Sequence, residues 1–216
     1  MRSHDWWDEK AVICKFLEGA KDSPYFAAYV LALECGLRLG EIVGLSKQDI
    51  TFDMGTIRVH RQWLDKDKRY GPTKNSRERF IKFHPGSLVE RTLRKAMDAS
   101  PDHEMIFVTK TGRRVGARNL SGGRFKKLVK RLGLPPIKFH DLRHTFANWY
   151  MIEHGDIWSL MSILGHNSIK TRMGYAHVSS NHQRVPNFDW GFDSPSRAPL
   201  KSLPHPHPVA ATNRNY

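Results

Sequence analysis

Three glycines in the second half of the chain most narrow what it can fold into. Gly133, Gly155 and Gly165 each stand just past a run of apolar residues at helical spacing, at about 118–132, 139–153 and 157–164. Glycine reaches the left-handed backbone that closes a helix without a steric penalty, so each marks a helix C-terminus. The first half adds more helix. Residues 8–19 put Val12, Ile13, Phe16 and Leu17 on one face. Ser23-Pro24 reads as a helix start, Ser as cap and Pro in the first turn, for a helix through Tyr25, Phe26, Val30 and Leu31 that stops near Gly36. A short helical segment is expected at Leu39–Leu45, and Ser87 with Glu90 forms a capping box for a helix over 88–98. A last helix is expected over 168–177.

Strand signals are confined to the middle. Residues 56–64 (TIRVHRQWL) alternate, and 68–74 and 78–84 read as two further strands joined by a turn at Asn75-Ser76. Met105–Val108 is a short strand or an extended link. The expected fold class is α+β, mainly α-helical, with a small three-stranded antiparallel sheet. Composition divides the chain once. Six prolines fall between 186 and 208, so residues 1–180 are expected to form the folded domain and 181–216 a disordered tail.

Charge narrows the partner. The 35 Lys and Arg against 21 Asp and Glu leave a formal charge of +14, which favours a polyanion. Duplex DNA is the simplest, because each neutralised phosphate releases counterions. No run of 18 apolar residues offers a membrane span, and MRSHDWWDEK is charged where a signal peptide is apolar. Cys14 and Cys35 fit no metal or redox spacing and read as buried, reduced thiols of a cytosolic protein.

Six residues stand out: Arg38, Lys74, His140, Arg143, His166 and Tyr175. Singly, each has an ordinary reading: a solvated or salt-bridged arginine, a surface lysine, a hydrogen-bonded histidine, a core tyrosine. Order and spacing carry the case. His140-x-x-Arg143 puts both side chains on one helix face. His166 and Tyr175 are nine residues apart, roughly 13.5 Å along a straight helix and on opposite faces. They share a site only if His166 lies in the turn before the helix, which Gly165 permits.

The segments GLRLGE (36–41), HDLRH (140–144), LGH (164–166) and Tyr175 in GYAH resemble the Arg…His-x-x-Arg…Gly-His…Tyr signature of tyrosine recombinases, the phage-type integrases. Lys74, in PTKNSRERFIKF, stands where that family has its β-hairpin lysine. The resemblance covers about residues 8–178. It implies the family's catalytic-domain fold and cleavage and rejoining of DNA through a 3′-phosphotyrosine on Tyr175, with no metal, ATP or other cofactor. Arg38 and Arg143 would meet the non-bridging phosphate oxygens with permanently charged forks, and His166 would add a hydrogen bond. His140 would serve as general base, and Lys74 would protonate the leaving 5′ oxygen. Glu41 matches the family's acidic position and is expected to orient a site residue or cap the local turn. His144 is expected to face elsewhere on its helix in a structural role.

The stretch 110–131 holds Lys110, Arg113, Arg114, Arg118, Arg124, Lys126, Lys127, Lys130 and Arg131 with no acidic residue. With Phe125, Leu128, Val129 and Leu132 kept for the core, the basic face is expected to lie along DNA. Two departures from the family pattern are expected: an N-terminal core-binding domain is absent, and no docking helix is evident after Tyr175. The expected partner is double-stranded DNA, with a monomer in free solution and a homotetramer on DNA, in the cytoplasm of a bacterium and on its nucleoid. Three other readings remain at this stage: a topoisomerase sharing the chemistry, a DNA-binding remnant with impaired catalysis, and a metal-dependent hydrolase, for which H-E-x-x-H or a carboxylate-rich site is lacking.

Overall fold

The computed structural model describes residues 6–73, 78–165 and 185–192. Helix α1 (Lys10–Ala20) buries Ile13, Phe16, Leu17 and Ala20. Helix α2 (Phe26–Cys35, FAAYVLALEC) is buried along its whole length, as expected for a helix that is apolar all round. It starts later than Ser23-Pro24 suggested. The Ser23 hydroxyl accepts the Tyr25 N–H at 3.2 Å and the Ser23 carbonyl accepts the Phe26 N–H at 3.0 Å, so these residues form a turn ahead of the helix. Helix α2 ends at Gly36, whose φ is +62°. A Cβ there would lie 2.6 Å from Phe146 and 2.7 Å from Leu164, so two further helices close directly onto this turn.

The stretch 56–64 is not one strand. β1 (Ile50–Thr51), β2 (Thr56–Val59) and β5 (Arg79–Lys82) form a three-stranded antiparallel sheet in the order β1-β2-β5. β3 (Arg61–Leu64) and β4 (Arg69–Pro72) form a separate hairpin with Trp63 opposite Tyr70. The expected pairing of 68–74 with 78–84 is therefore corrected: β4 pairs with β3, and β5 with β2. Two contacts pull the chain off the first sheet at His60. His60 Nε2 meets Asp49 Oδ1 at 3.0 Å, and Arg61 donates to Ser46 Oγ at 3.0 Å. Helix α3 (Leu39–Gly44) then lies against the β3 backbone. Gly40 and Gly44 permit that approach, since a Cβ on Gly44 would sit 3.0 Å from the Trp63 nitrogen. The turn at 75–76 lies outside the described residues.

Helix α4 (Leu88–Asp98) is capped by Ser87 Oγ, which accepts the Glu90 N–H at 3.4 Å, while the Glu90 carboxylate reaches back to the Gly86 N–H at 2.7 Å. The link after it bridges Met105 to Ser46 and Val108 to Arg114. The helix expected at 118–132 begins as wide π-type turns over Asn119–Phe125 and tightens only in α5 (Lys126–Arg131). Gly122-Gly123 weakens regular helix there, and the Ser121 hydroxyl donates to the Ala117 carbonyl at 2.9 Å, a local bond that bends helices. Helices α6 (Asp141–His154) and α7 (Ile157–Leu164) follow. Gly133, Gly155 and Gly165 have φ of +63°, +66° and +64°, the expected left-handed closures.

Residues 185–192 correct the expectation of a disordered tail from 181 onward. They form an extended strap. Its Val185 N–H donates to the Lys82 carbonyl at 2.9 Å, and Val185, Phe188 and Trp190 are buried. Phe188 stacks on Trp190 at 4.7 Å, Trp190 meets Trp149 edge-on at 5.7 Å, and Phe192 lies 5.8 Å from Phe26. Counting prolines hid the period-two spacing of 188, 190 and 192, by which one side of an extended chain faces the core. The remaining tail residues and the helix expected over 168–177 lie outside the described residues. Among the described residues no helix is long and apolar enough to cross a membrane. Cys35 is buried and Cys14 half-buried, both as free thiols.

Candidate active site

Two of the candidate residues that the structure describes, Arg38 and Arg143, meet at the C-terminal end of α7. Arg143, on the first turns of α6 and 4% exposed, donates to the Leu164 carbonyl at 2.8 Å and to the Gly36 carbonyl. Arg38, just before α3, also reaches the Leu164 carbonyl, at 3.5 Å. The last carbonyls of a helix lack intrahelical partners and carry the negative end of its dipole, so α7 is a natural gathering point for cations. Arg38 and Arg143 are 105 positions apart (143 − 38) in the sequence and share one acceptor.

Glu41 organises this point from below. It is 1% exposed and accepts the Arg38 backbone N–H at 2.9 Å and the Arg38 guanidinium at 3.1 Å. It therefore both caps α3 and orients Arg38. The periodic reading missed its other partner. Arg79, on β5 and 8% exposed, forks onto Glu41 at 3.0 and 2.8 Å and donates its Nε–H to the Ile163 carbonyl at 2.8 Å. Arg79 alternates with buried Ile81 on the strand face that points inward, and that alternation was the available signal. Burial pushes the Glu41 carboxyl up, but the bonds and charges of Arg79 and Arg38 outweigh it and hold its pKa below the usual value. Burial and the nearby Arg38 lower the Arg143 guanidinium to about 9, so it stays charged at neutral pH. Among the described residues, Arg38 and Arg79 thus share the Glu41 carboxylate, and the Arg143 guanidinium lies near enough to feel its charge.

His140 stands exposed at the start of α6. Partial burial, then the neighbouring His144 and Arg143, push its imidazole below the usual pKa, so the neutral form dominates at pH 7. His144 does not face elsewhere, as the sequence suggested. Its ring meets that of His140 edge-on at 5.1 Å, because residues four apart stack on a helix. Lys74, His166 and Tyr175 lie outside the described residues, although Thr73 and Gly165, beside the first two in sequence, are described. Among the described residues no group of three or more His, Cys, Asp or Glu is placed to hold a metal ion.

The basic stretch divides. Arg114 turns inward: it donates to the Val43 carbonyl at 2.5 Å and to the Tyr70 hydroxyl, and lies 4.4 Å from the Trp63 ring. It fastens the β3–β4 hairpin to α3, which corrects its place among exposed DNA-facing residues. Lys110, Arg113, Arg118, Arg124, Lys126, Lys127, Lys130 and Arg131 are exposed, with Arg124 lying 4.9 Å from the Tyr25 ring and Arg131 donating to the Gly19 carbonyl at 3.3 Å. They point two ways. Arg124, Lys127 and Arg131 border a depression with Ser23 and Tyr29. Lys126 and Lys130, with Lys138, rim a groove floored by Val129, Leu134 and Ile137 that ends at Asp141, beside His140.

Helices packed on a small split sheet thus gather Arg38, Arg79 and Arg143 at the end of α7, beside the HDLRH segment. Residues 8–182 match the model of the phage integrase family, and the chain belongs to that family. It is 30% identical over 145 residues to tyrosine recombinase XerC of Chlamydia pneumoniae, covering 67% of this chain and 44% of that protein. It is also 30% identical over 152 residues to XerC of Bacillus subtilis (strain 168), covering 69% and 47%. The chain spans about half the length of the curated relatives it matches. Its fold is similar to that of the Tn1549 transposon integrase, solved in complex with transposon right end DNA (TM-score 0.65, 23% identity, 71% of this chain and 55% of that one). It is also similar to the lambda integrase catalytic core (TM-score 0.57, 22% identity, 73% and 93%).

Proposed function

We propose that this chain cleaves and rejoins double-stranded DNA at specific sites through a covalent 3′-phosphotyrosine on Tyr175. The observation that carries the reading is the convergence of Arg38 and Arg143 on the Leu164 carbonyl, two residues before His166 in the LGH segment. A phosphodiester is already anionic, and in-line attack spreads more charge over its non-bridging oxygens. Two guanidinium groups fixed by a helix end and by Glu41 meet that charge without reorganising. In this reading the Tyr175 hydroxyl passes its proton to neutral His140 as its oxygen bonds to phosphorus. Lys74 protonates the departing 5′ oxygen, and His166 adds a bond to a non-bridging oxygen. Reversal by a 5′ hydroxyl from another strand rejoins the DNA. No ATP enters, because the phosphotyrosine conserves the bond energy, and no metal enters, because the guanidinium groups take up the charge it would neutralise. The exposed basic residues, led by Lys126 and Lys130, hold the duplex. The free chain is a monomer that assembles as a tetramer on DNA.

The test is an adduct. The protein is mixed, in EDTA, with nicked duplexes randomised around the nick, and products that resist denaturation are isolated and sequenced. A protein–DNA adduct that is lost in Tyr175→Phe is the expected result. Cleavage that needs a divalent metal and leaves no adduct would refute the proposal. DNA binding without any adduct, across the whole randomised pool, would favour a remnant that has kept binding and lost catalysis.

A further inference from the structure

Arg79 has no part in the chemistry above, yet it is buried near the site and held by three hydrogen bonds, two to Glu41 and one to the Ile163 carbonyl. Each Glu41 oxygen accepts two bonds. Oε1 takes Arg79 Nη1 at 3.0 Å and Arg38 Nη1 at 3.1 Å, and Oε2 takes Arg79 Nη2 at 2.8 Å and the Arg38 backbone N–H at 2.9 Å. A carboxylate has about four acceptor positions, so Glu41 is saturated. The Arg38 guanidinium touches it through one terminal nitrogen only, and the stronger two-bond fork is taken by Arg79.

The charge balance follows. Among the described residues of this cluster, Arg38, Arg79 and Arg143 carry three positive charges against one negative charge on Glu41, an excess of two. Without Arg79, two acceptor positions on a buried carboxylate would open beside Arg38. The carboxylate would then fork onto Arg38, and the excess would fall to one.

We propose that Arg79 is a positioning residue: it occupies the Glu41 fork, so that the carboxylate does not draw Arg38 fully onto itself and the site keeps its positive excess for a phosphate-like anion. The inference rests on the reading of those two arginines as an anion site. It makes Arg79 act through electrostatics and not only through packing, and the two roles separate in a second-site test. Arg79→Met removes the charge and the fork. Arg79→Met/Glu41→Gln removes both partners and restores the local excess of two.

The probe is inorganic sulfate, titrated at constant ionic strength against chloride and followed by calorimetry and by the shift in melting temperature. Arg38→Ala serves as the control for the site. The expected result is that Arg79→Met binds sulfate roughly tenfold more weakly than the unaltered chain, from the loss of one unit charge a few ångströms away. The double variant is expected to recover to within about twofold, since the local charge is again the same. If Arg79→Met does not fold, Arg79→Lys replaces it. A single ammonium keeps the charge but leaves one Glu41 oxygen open, so it gives a smaller weakening, and adding Glu41→Gln, which raises the local excess to three, should lift affinity to that of the unaltered chain or above. Wild-type affinity in Arg79→Met, or a cooperatively folding double variant no better than the single one, overturns the inference. Sulfate binding that Arg38→Ala leaves unchanged would sink the anion-site reading itself.

Discussion

Glu34 lies in the last turn of α2, 2% exposed, with its carboxylate against the indole N–H of Trp190 from the strap. Burial pushes its pKa from 4.5 up to about 8; the Trp190 and Phe188 bonds pull down and Glu153 pushes up, without reversing the shift. The folded chain therefore keeps a proton that the unfolded chain releases above pH 4.5. The sign is fixed by that difference: the contribution is fully present below 4.5 and is lost as pH rises toward 8. Each pH unit removes about 1.4 kcal/mol, so the window of 8 − 4.5 units amounts to about 5 kcal/mol. Glu34→Gln keeps an oxygen for the indole and cannot ionise. The stability difference between Glu34→Gln and the unaltered chain should move in favour of the glutamine by about 4 kcal/mol between pH 5 and pH 8. His140, whose pKa is lowered, works in the opposite sense, costing stability as pH falls below its ordinary value. It is present in both chains and cancels in the difference. Urea unfolding followed by tryptophan fluorescence at several pH values measures the difference directly. Parallel stability curves for the two chains across that range would refute the reasoning.

Gly36→Ala should destabilise the chain by about 2–5 kcal/mol, combining a left-handed backbone that disfavours a Cβ with a clash against Phe146 and Leu164. A chemical denaturation midpoint close to that of the unaltered chain would count against this packing. DNA binding should separate two basic residues that the sequence presents alike. Lys126→Ala should flatten the dependence of log affinity on log salt by about 0.9, the value of one phosphate contact. Arg114→Ala should leave that slope unchanged and lower the melting temperature instead, because its guanidinium is committed to Val43, Trp63 and Tyr70; equal slopes for the two variants would contradict the assignment.

Several elements were legible from local rules, because local rules cause them. The left-handed closures at Gly133, Gly155 and Gly165 follow from one residue's missing Cβ. The Ser87 cap follows from one hydroxyl. The expected strand over 56–64 failed for the complementary reason. Its alternation is genuine, but the break at His60 is imposed by Asp49, Ser46 and the glycine face of α3, none of them in the strand. The strap was misread because proline content describes what a segment resists, while its aromatics find partners on α2 and α6.

The sequence alone determined the kind of chain this is. Residue type and spacing decide which cations, imidazoles and hydroxyls are available, and a signature of several such groups in order does not depend on coordinates. Only the tertiary structure decided how the charges are shared. Arg79 and Arg114 look like any other basic residues in a cationic chain, yet one saturates Glu41 at the site and the other is spent on packing a hairpin. The physical reason is that charge is a local property of a side chain, whereas its burial and its partner are set by residues dozens of positions away.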